Sequence, residues 1–247
     1  MDFRVLGPLE VREGDRALKL GGYRQQLVLA VLLLHPESEL SADFLIDAVW
    51  GEDPPRSARK TLQAYMSRLR RTLGEGVIVA TQHGYIVRAT SAQLDSLQFE
   101  DLSVRGNELL VSNPAGAADL LGRALSLWRG MPFGDLGYEE AVQPEAQRLL
   151  ELRLSTLENR ISADLELGQA SLLVPELEQL VEEHPLRERF HEQLMLALYR
   201  SERQADALRA YQNAGTVLGE ELGIGPSRRL QALEEKILLQ DPSIDGP

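Results

Sequence analysis

The sequence predicts an α+β domain at the amino-terminal end of the chain and an all-α domain after it. The first 93 of the 247 residues mix short alternating apolar runs, turn residues and segments of helical periodicity. From Leu97 onward the strand patterns vanish and helical periodicity continues. A chain of this length also exceeds the usual single domain of about 100–150 residues. We therefore predict two domains, at residues 1–93 and 94–247.

The elements of the first domain follow in order from its sequence. Up to Leu20, apolar and polar residues alternate around turn residues, which predicts a small antiparallel sheet. Helices are predicted from Arg24 to Leu34, from a Ser41 cap to Gly51, and from Ser57 to Leu73. The apolar stripe expected on the third helix consists of Ala58, Leu62, Tyr65, Leu69 and Leu73.

A hairpin is predicted after the third helix. Two strand-like runs, Val77–Val79 and Tyr85–Val87, are joined by the turn residues Thr81–Gly84. Three helices followed by a hairpin is the order of a winged helix-turn-helix.

The second domain shows a weak internal repeat. Two sets of three apolar residues, each spaced by four and then three positions, begin at Leu173 and at Ala207. These two starting positions are 34 residues apart. This is the period of tetratricopeptide helix pairs, so we predict a tetratricopeptide-like helical domain. Its longest helix is expected from Tyr138 to Leu167.

The charge is distributed unevenly between the two parts. The chain carries a net charge of −12, yet residues 1–93 hold 12 Lys+Arg against 11 Asp+Glu, a net of +1. The remaining residues hold 14 basic and 27 acidic side chains, a net of −13. The segment from Arg56 to Arg71 contains six basic residues and no acid. This segment is the one strong candidate for chemistry in the sequence.

The sequence offers no basis for catalysis or membrane insertion. It has no cysteine and none of the common phosphate-loop, nucleophile-elbow or zinc-protease patterns, and its four histidines are not at ligand spacing. We expect His184 and His191 to be solvated, and we expect no enzyme activity, cofactor or metal. The longest apolar run has eight residues, Leu27–Leu34, and the first residues do not resemble a signal peptide. A cytoplasmic protein with no membrane partner is therefore expected.

The basic third helix predicts binding to double-stranded DNA. Lys and Arg neutralise phosphates, while Arg and Gln on one helix face can pair with base edges in the major groove. Solvated helix faces normally mix both signs of charge, whereas this one lacks acids. Arg68 lies at the side of the stripe, where it either packs over the core or reaches the DNA. The candidate DNA-binding residues on this helix are Arg56, Ser57, Arg59, Lys60, Gln63, Ser67, Arg70 and Arg71.

The hairpin is a weaker candidate. As a wing it could touch the minor groove or a phosphate, and as an ordinary turn it would only be polar. Its candidate DNA-binding residues are Thr81, Gln82, His83 and Tyr85.

Several longer runs of the sequence resemble a known family. The runs FRVLGPLEV, LIDAVWGEDPPRSARKTLQAYMSRLRRTLG and HGYIV resemble the response-regulator-type winged helix of the Streptomyces antibiotic regulatory proteins. The runs ALSLWRGMPFGDL and LGEELGIGPSRRLQALEEKIL are similar to the bacterial transcriptional activation domain that follows it in that family. The resemblance covers nearly the whole chain.

This resemblance implies an activator of a secondary-metabolite gene cluster. Such a protein binds direct repeats in promoter DNA, with a second protomer beside it, and recruits the RNA polymerase holoenzyme. By position, Arg56–Leu73 corresponds to the recognition helix and the hairpin around His83 to the wing. Two other interpretations remain open: a winged-helix repressor, and a helical-repeat scaffold that binds proteins.

Overall fold

The computed structural model describes residues 1–246, and it begins with a three-stranded antiparallel sheet. The strands are β1 (Asp2–Arg4), β2 (Glu10–Glu13) and β3 (Arg16–Ala17), paired in that order with Phe3 opposite Val11. Both of these side chains are buried. The predicted sheet is confirmed.

Three helices follow at the predicted places: α1 (Tyr23–Leu34), α2 (Ala42–Trp50) and α3 (Ala58–Leu73). The hydroxyl of Ser41 caps α2 by accepting the backbone N–H of Phe44 at 3.1 Å. Gly74 ends α3 in a positive-φ conformation, at φ 91°, which a residue with a side chain rarely adopts.

A second sheet supports the hairpin. The predicted hairpin strands are β5 (Ile78–Ala80) and β6 (Gly84–Val87), and a strand that the sequence pattern did not predict, β4 (Leu40–Ser41), pairs with β6. Two residues are too few to show an alternating pattern, so β4 is defined only by its pairing. Together with α1–α3, this sheet forms the expected winged helix-turn-helix.

Gly84 permits the pairing of β4 with β6. A Cβ atom at this position would lie 1.9 Å from the carbonyl oxygen of Leu40. We expect Gly84→Ala to lower the free energy of unfolding by about 1–3 kcal/mol, because the two strands must separate. Urea denaturation measures this loss, and Gly219→Ala is the control because a Cβ there meets nothing within 4 Å. Equal stability of the two variants would show that β4 does not hold the hairpin.

The rest of the chain is helical, as predicted. A 3₁₀ segment, Gly134–Tyr138, stands where the longest helix was expected to begin, so the predicted start at Tyr138 is wrong. Pro144 explains the difference, because it has no N–H to donate within a helix that began at Tyr138, whereas in the first turn of α6 that N–H is not needed. The helices are α4 (Asp95–Leu109), α5 (Pro114–Ser126), α6 (Gln143–Glu166), α7 (Ala170–Glu183), α8 (Glu188–Arg200), α9 (Gln204–Leu222) and α10 (Arg228–Leu239).

The compact units of the structure do not divide at residues 93 and 94. The first unit contains residues 1–103 and 123–154, and the second contains 104–122 and 155–247. In the first unit, the buried carboxylate of Asp95 accepts the backbone N–H groups of Val5 and Leu6 at 2.7 and 3.2 Å. Residues beyond position 93 thus complete the core around the first sheet. The division into functional domains at 93/94 stays a prediction.

The second unit contains one buried histidine that was expected to be solvated. His191 is 1% exposed, and its Nε2 lies 2.8 Å from the carbonyl oxygen of Pro185. Burial lowers the pKa of this imidazole. Since a carbonyl oxygen can only accept, Nε2 carries the proton of the neutral ring. The prediction of a solvated His191 is therefore wrong.

Candidate nucleic-acid interface

Helix α3 buries one face and exposes the other along its whole length. Met66 takes a core position that the sequence analysis gave to Tyr65, and Tyr65 is only half-buried. Tyr65 instead stacks on the Trp50 ring, with ring centroids 6.3 Å apart and planes 1° apart. The residues of α3 that are buried are Ala58, Leu62, Met66, Leu69 and Leu73.

The exposed face of α3 carries the predicted DNA-binding residues. At about 100° per residue, Lys60, Gln63 and Ser67 fall within roughly 60° of one another, opposite the buried stripe. The other members lie beside this line, so base-reading and phosphate-binding side chains share one surface. We call this surface the α3 face; its members, all exposed, are Arg56, Ser57, Arg59, Lys60, Gln63, Ser67, Arg68, Arg70 and Arg71.

Most of the positive charge on the α3 face is uncompensated. Within residues 1–246, Arg59 is the member of this face whose side chain has a carboxylate partner, Asp43 in the first turn of α2. A free guanidinium or ammonium on a continuous surface is what a phosphate backbone requires. Over the described part of the chain, no side-chain hydrogen bond or ion pair involves Arg56, Lys60, Arg68, Arg70 or Arg71.

Two further arginines of the first compact unit are exposed, and one of them lies on the α3 face. Arg68, for which the sequence left two roles open, is exposed and lies on the α3 face. Arg88, which follows β6, is also exposed and was not considered.

The wing residues differ in how available they are. Gln82 and His83 are exposed at the hairpin tip. The Thr81 hydroxyl accepts the backbone N–H of Gly84 at 2.9 Å and donates to the carboxylate of Glu39, so it stabilises the turn.

Tyr85 lies within β6 rather than at the tip. It pairs with Leu40 and Ala80, and its half-buried side chain packs against the core. The structure therefore brings Gln82 and His83 to the hairpin tip and leaves Tyr85 and Thr81 in supporting positions.

The described residues contain neither a metal-ligand cluster nor a helix suited to span a membrane. Among residues 1–246 there is no group of three or more His, Asp or Glu side chains placed to hold a metal ion. No helix in this range combines the length and the apolar character that a bilayer span needs.

Comparison with known proteins agrees with this order of domains. The family model described as "Transcriptional regulatory protein, C terminal" matches residues 18–87, and that described as "Bacterial transcriptional activator domain" matches 94–238. Regulatory protein AfsR of Streptomyces coelicolor is 42% identical over 98% of this chain. Transcriptional regulator RedD of the same organism is 34% identical, covering all of this chain and 73% of RedD. The chain belongs to the Streptomyces antibiotic regulatory protein family.

A solved structure of a relative shares the fold. It is titled "Mycobacterium tuberculosis EmbR in complex with low affinity phosphopeptide", and it matches with a TM-score of 0.93 and 35% identity over 98% of this chain and 65% of that one. The chain spans only 24% of the length of AfsR. The descriptions of both matched family models and the names of AfsR and RedD are those of transcriptional regulators.

Proposed function

We propose that this regulator is a sequence-specific DNA-binding activator of a secondary-metabolite, antibiotic-type gene cluster in the cytoplasm. It binds direct repeats in promoter DNA and recruits the RNA polymerase holoenzyme. The observation that carries the proposal is the α3 face, where exposed basic side chains without partners surround Gln63.

The α3 face divides into two kinds of contact. Arg56, Arg70 and Arg71 lie near its ends, where they neutralise phosphates and position the helix. Lys60, Gln63 and Ser67 line its middle and read base edges in the major groove. The hydroxyl of Ser57, at the start of the helix, donates a hydrogen bond to the DNA backbone. Gln82 and His83 of the wing contact the neighbouring groove of the DNA or one of its phosphates.

We favour direct repeats over a palindrome because the sequence shows no element that would pair two protomers about a two-fold axis. Residues 1–247 show no coiled-coil heptad repeat, which is the common two-fold pairing element that a sequence reveals. A two-fold palindrome requires protomers related by the same symmetry, whereas head-to-tail contacts place them on repeated sites. Protomers are therefore expected to load cooperatively, with a second protomer joining the first on DNA.

The helical part of the chain, residues 94–247, supplies the contact to the polymerase. Residues 94–247 carry a net charge of −13, which opposes binding to phosphate. Stacked helix pairs provide extended surfaces that typically hold another polypeptide. In this family the bacterial transcriptional activator domain, matched over residues 94–238, occupies this position.

Two assays on one promoter test the proposal. The DNA upstream of the neighbouring biosynthetic genes is used for footprinting, and the same fragment is then transcribed with purified polymerase. We expect protection of directly repeated half-sites and more transcript when the protein is added. Reduced transcript would identify a repressor, and no protection of any DNA would favour a protein-binding scaffold.

A further inference from the structure

Among the described residues, the α3 face forms one ion pair, which joins it to an acid on another helix. Asp43, in the first turn of α2, binds the guanidinium of Arg59. Both side chains face solvent, with 75% of Asp43 and 61% of Arg59 exposed. The pair therefore lies on the surface to which the proposed function assigns DNA, next to basic residues that have no partner among residues 1–246.

We propose that Asp43 competes with DNA phosphate for Arg59 and thereby restrains the affinity of the protein for any duplex. The inference rests on the proposed function, because Arg59 is available to phosphate only if the α3 face binds DNA. Asp43 is on this account a positioning residue. It acts through Arg59 and makes no favourable contact with DNA itself.

The strength of the pair allows competition without preventing binding. An exposed ion pair shifts an equilibrium by about fivefold or less, so a phosphate can displace the carboxylate. When Arg59 moves to a phosphate, its ion pair with Asp43 is broken, and the free energy of that pair is subtracted from the new contact. When Arg59 stays with Asp43, one phosphate contact is not made. Both cases weaken binding to every sequence, because phosphate contacts carry no sequence information.

A purely structural role for Asp43 makes a different prediction. A carboxylate in the first turn of a helix interacts favourably with the helix dipole. If that were its whole purpose, removing the charge would lower the melting temperature and leave the salt dependence of DNA binding unchanged. The salt dependence therefore distinguishes the two roles.

Asp47 provides a matched control on the same helix. It is exposed one turn further along α2, and no side-chain hydrogen bond or ion pair involves it within residues 1–246. Asp43→Asn and Asp47→Asn remove the same charge, but only Asp43→Asn releases Arg59. An Arg59→Gln background completes the set, because nothing remains there for Asp43 to hold.

The experiment measures the affinity of the full chain for a short mixed-sequence duplex at several salt concentrations, by fluorescence anisotropy. We expect Asp43→Asn to bind about fivefold more tightly at low salt and to steepen the dependence of log K on log salt by about 0.9. Asp47→Asn is expected to change affinity by less than about twofold and to leave the slope unchanged. In the Arg59→Gln background, Asp43→Asn is expected to have no effect. Asp43→Ser replaces Asp43→Asn if a thermal melt shows that the amide disturbs α2.

Several results would overturn the inference. Equal gains in DNA affinity for Asp43→Asn and Asp47→Asn would show a general charge effect. A gain in affinity that persists in the Arg59→Gln background would show that Asp43 does not act through Arg59. Weaker binding of Asp43→Asn would mean that Asp43 orients Arg59 for its contact. A parent chain that binds no duplex would refute the proposed function itself, and this inference with it.

Discussion

Asp95→Ala is expected to lower the free energy of unfolding of the first compact unit by about 2–5 kcal/mol. Asp95 is 6% exposed, and its carboxylate accepts the backbone N–H groups of Val5 and Leu6, which are both buried. Alanine leaves these two donors without a partner and away from water, and each such group costs about 1–3 kcal/mol. The guanidinium of Arg129, 3.8 Å from the carboxylate, also loses one of its two carboxylate partners and keeps Glu10 at 3.4 Å.

Urea denaturation of the full chain, followed by circular dichroism, measures this effect as an earlier first transition. Asp95→Asn keeps one acceptor oxygen, so it is expected to lower the free energy of unfolding by about half as much as Asp95→Ala does. Asp15→Ala removes an exposed carboxylate from a turn and is expected to stay within about 0.5 kcal/mol of the parent. If Asp95→Ala behaves like Asp15→Ala, the segment after residue 93 does not support the first sheet.

Asp95 also shows why the compact units were harder to predict than the helices. Local periodicity and capping residues indicate a helix. Ser41 at the start of α2 and Gly74 at the end of α3 are such capping residues. The contact between Asp95 and Val5 joins residues 90 positions apart, and no local pattern encodes it. Such long-range packing is the reason that the change in sequence pattern near residue 93 does not coincide with a change of compact unit.

The α3 face was predictable because periodicity determines which side chains point outward, but the core side was ambiguous at one position. Between Leu62 and Leu69, both Tyr65 and Met66 complete a helical spacing of 3 and 4. The stacking of Tyr65 on Trp50 decides between them, and it depends on how α2 packs against α3. Sequence periodicity alone could not supply that packing.

The sequence did contain a signal for the buried histidine. His191 precedes Leu194 and Leu198 at spacings of 3 and 4, which is the pattern of a buried helix face. The acids around it suggested solvation instead. In the structure the carbonyl of Pro185 satisfies one ring nitrogen, which makes burial of the neutral imidazole tolerable.

Arg70→Ala combined with Arg71→Ala is expected to weaken binding to any duplex by tenfold or more at low salt, on the order of the loss of two phosphate contacts. Both side chains are exposed at the carboxyl-terminal end of α3. Nothing in the described part of the chain neutralises either of them, so their charge is available to phosphate. Because the change leaves the buried stripe of α3 intact, the fold should be preserved.

A matched pair of arginines in the helical part controls for net charge. Arg228 and Arg229 are also adjacent and exposed, at the start of α10, and replacing both by alanine removes the same two charges. Arg229 pairs with Glu192, but an exposed pair contributes only about 0–1 kcal/mol, so this variant should also remain folded.

The most direct test of the α3 face as the DNA-binding surface is the slope of log K against log salt for the parent and these two double variants. We predict that the slope falls in magnitude by about 1.8 for the change at Arg70 and Arg71, or about 0.9 for each lost contact. The change at Arg228 and Arg229 should leave the slope as it is in the parent. Equal slopes for all three proteins, or a smaller slope only for the Arg228 and Arg229 variant, would contradict the assignment of DNA binding to α3.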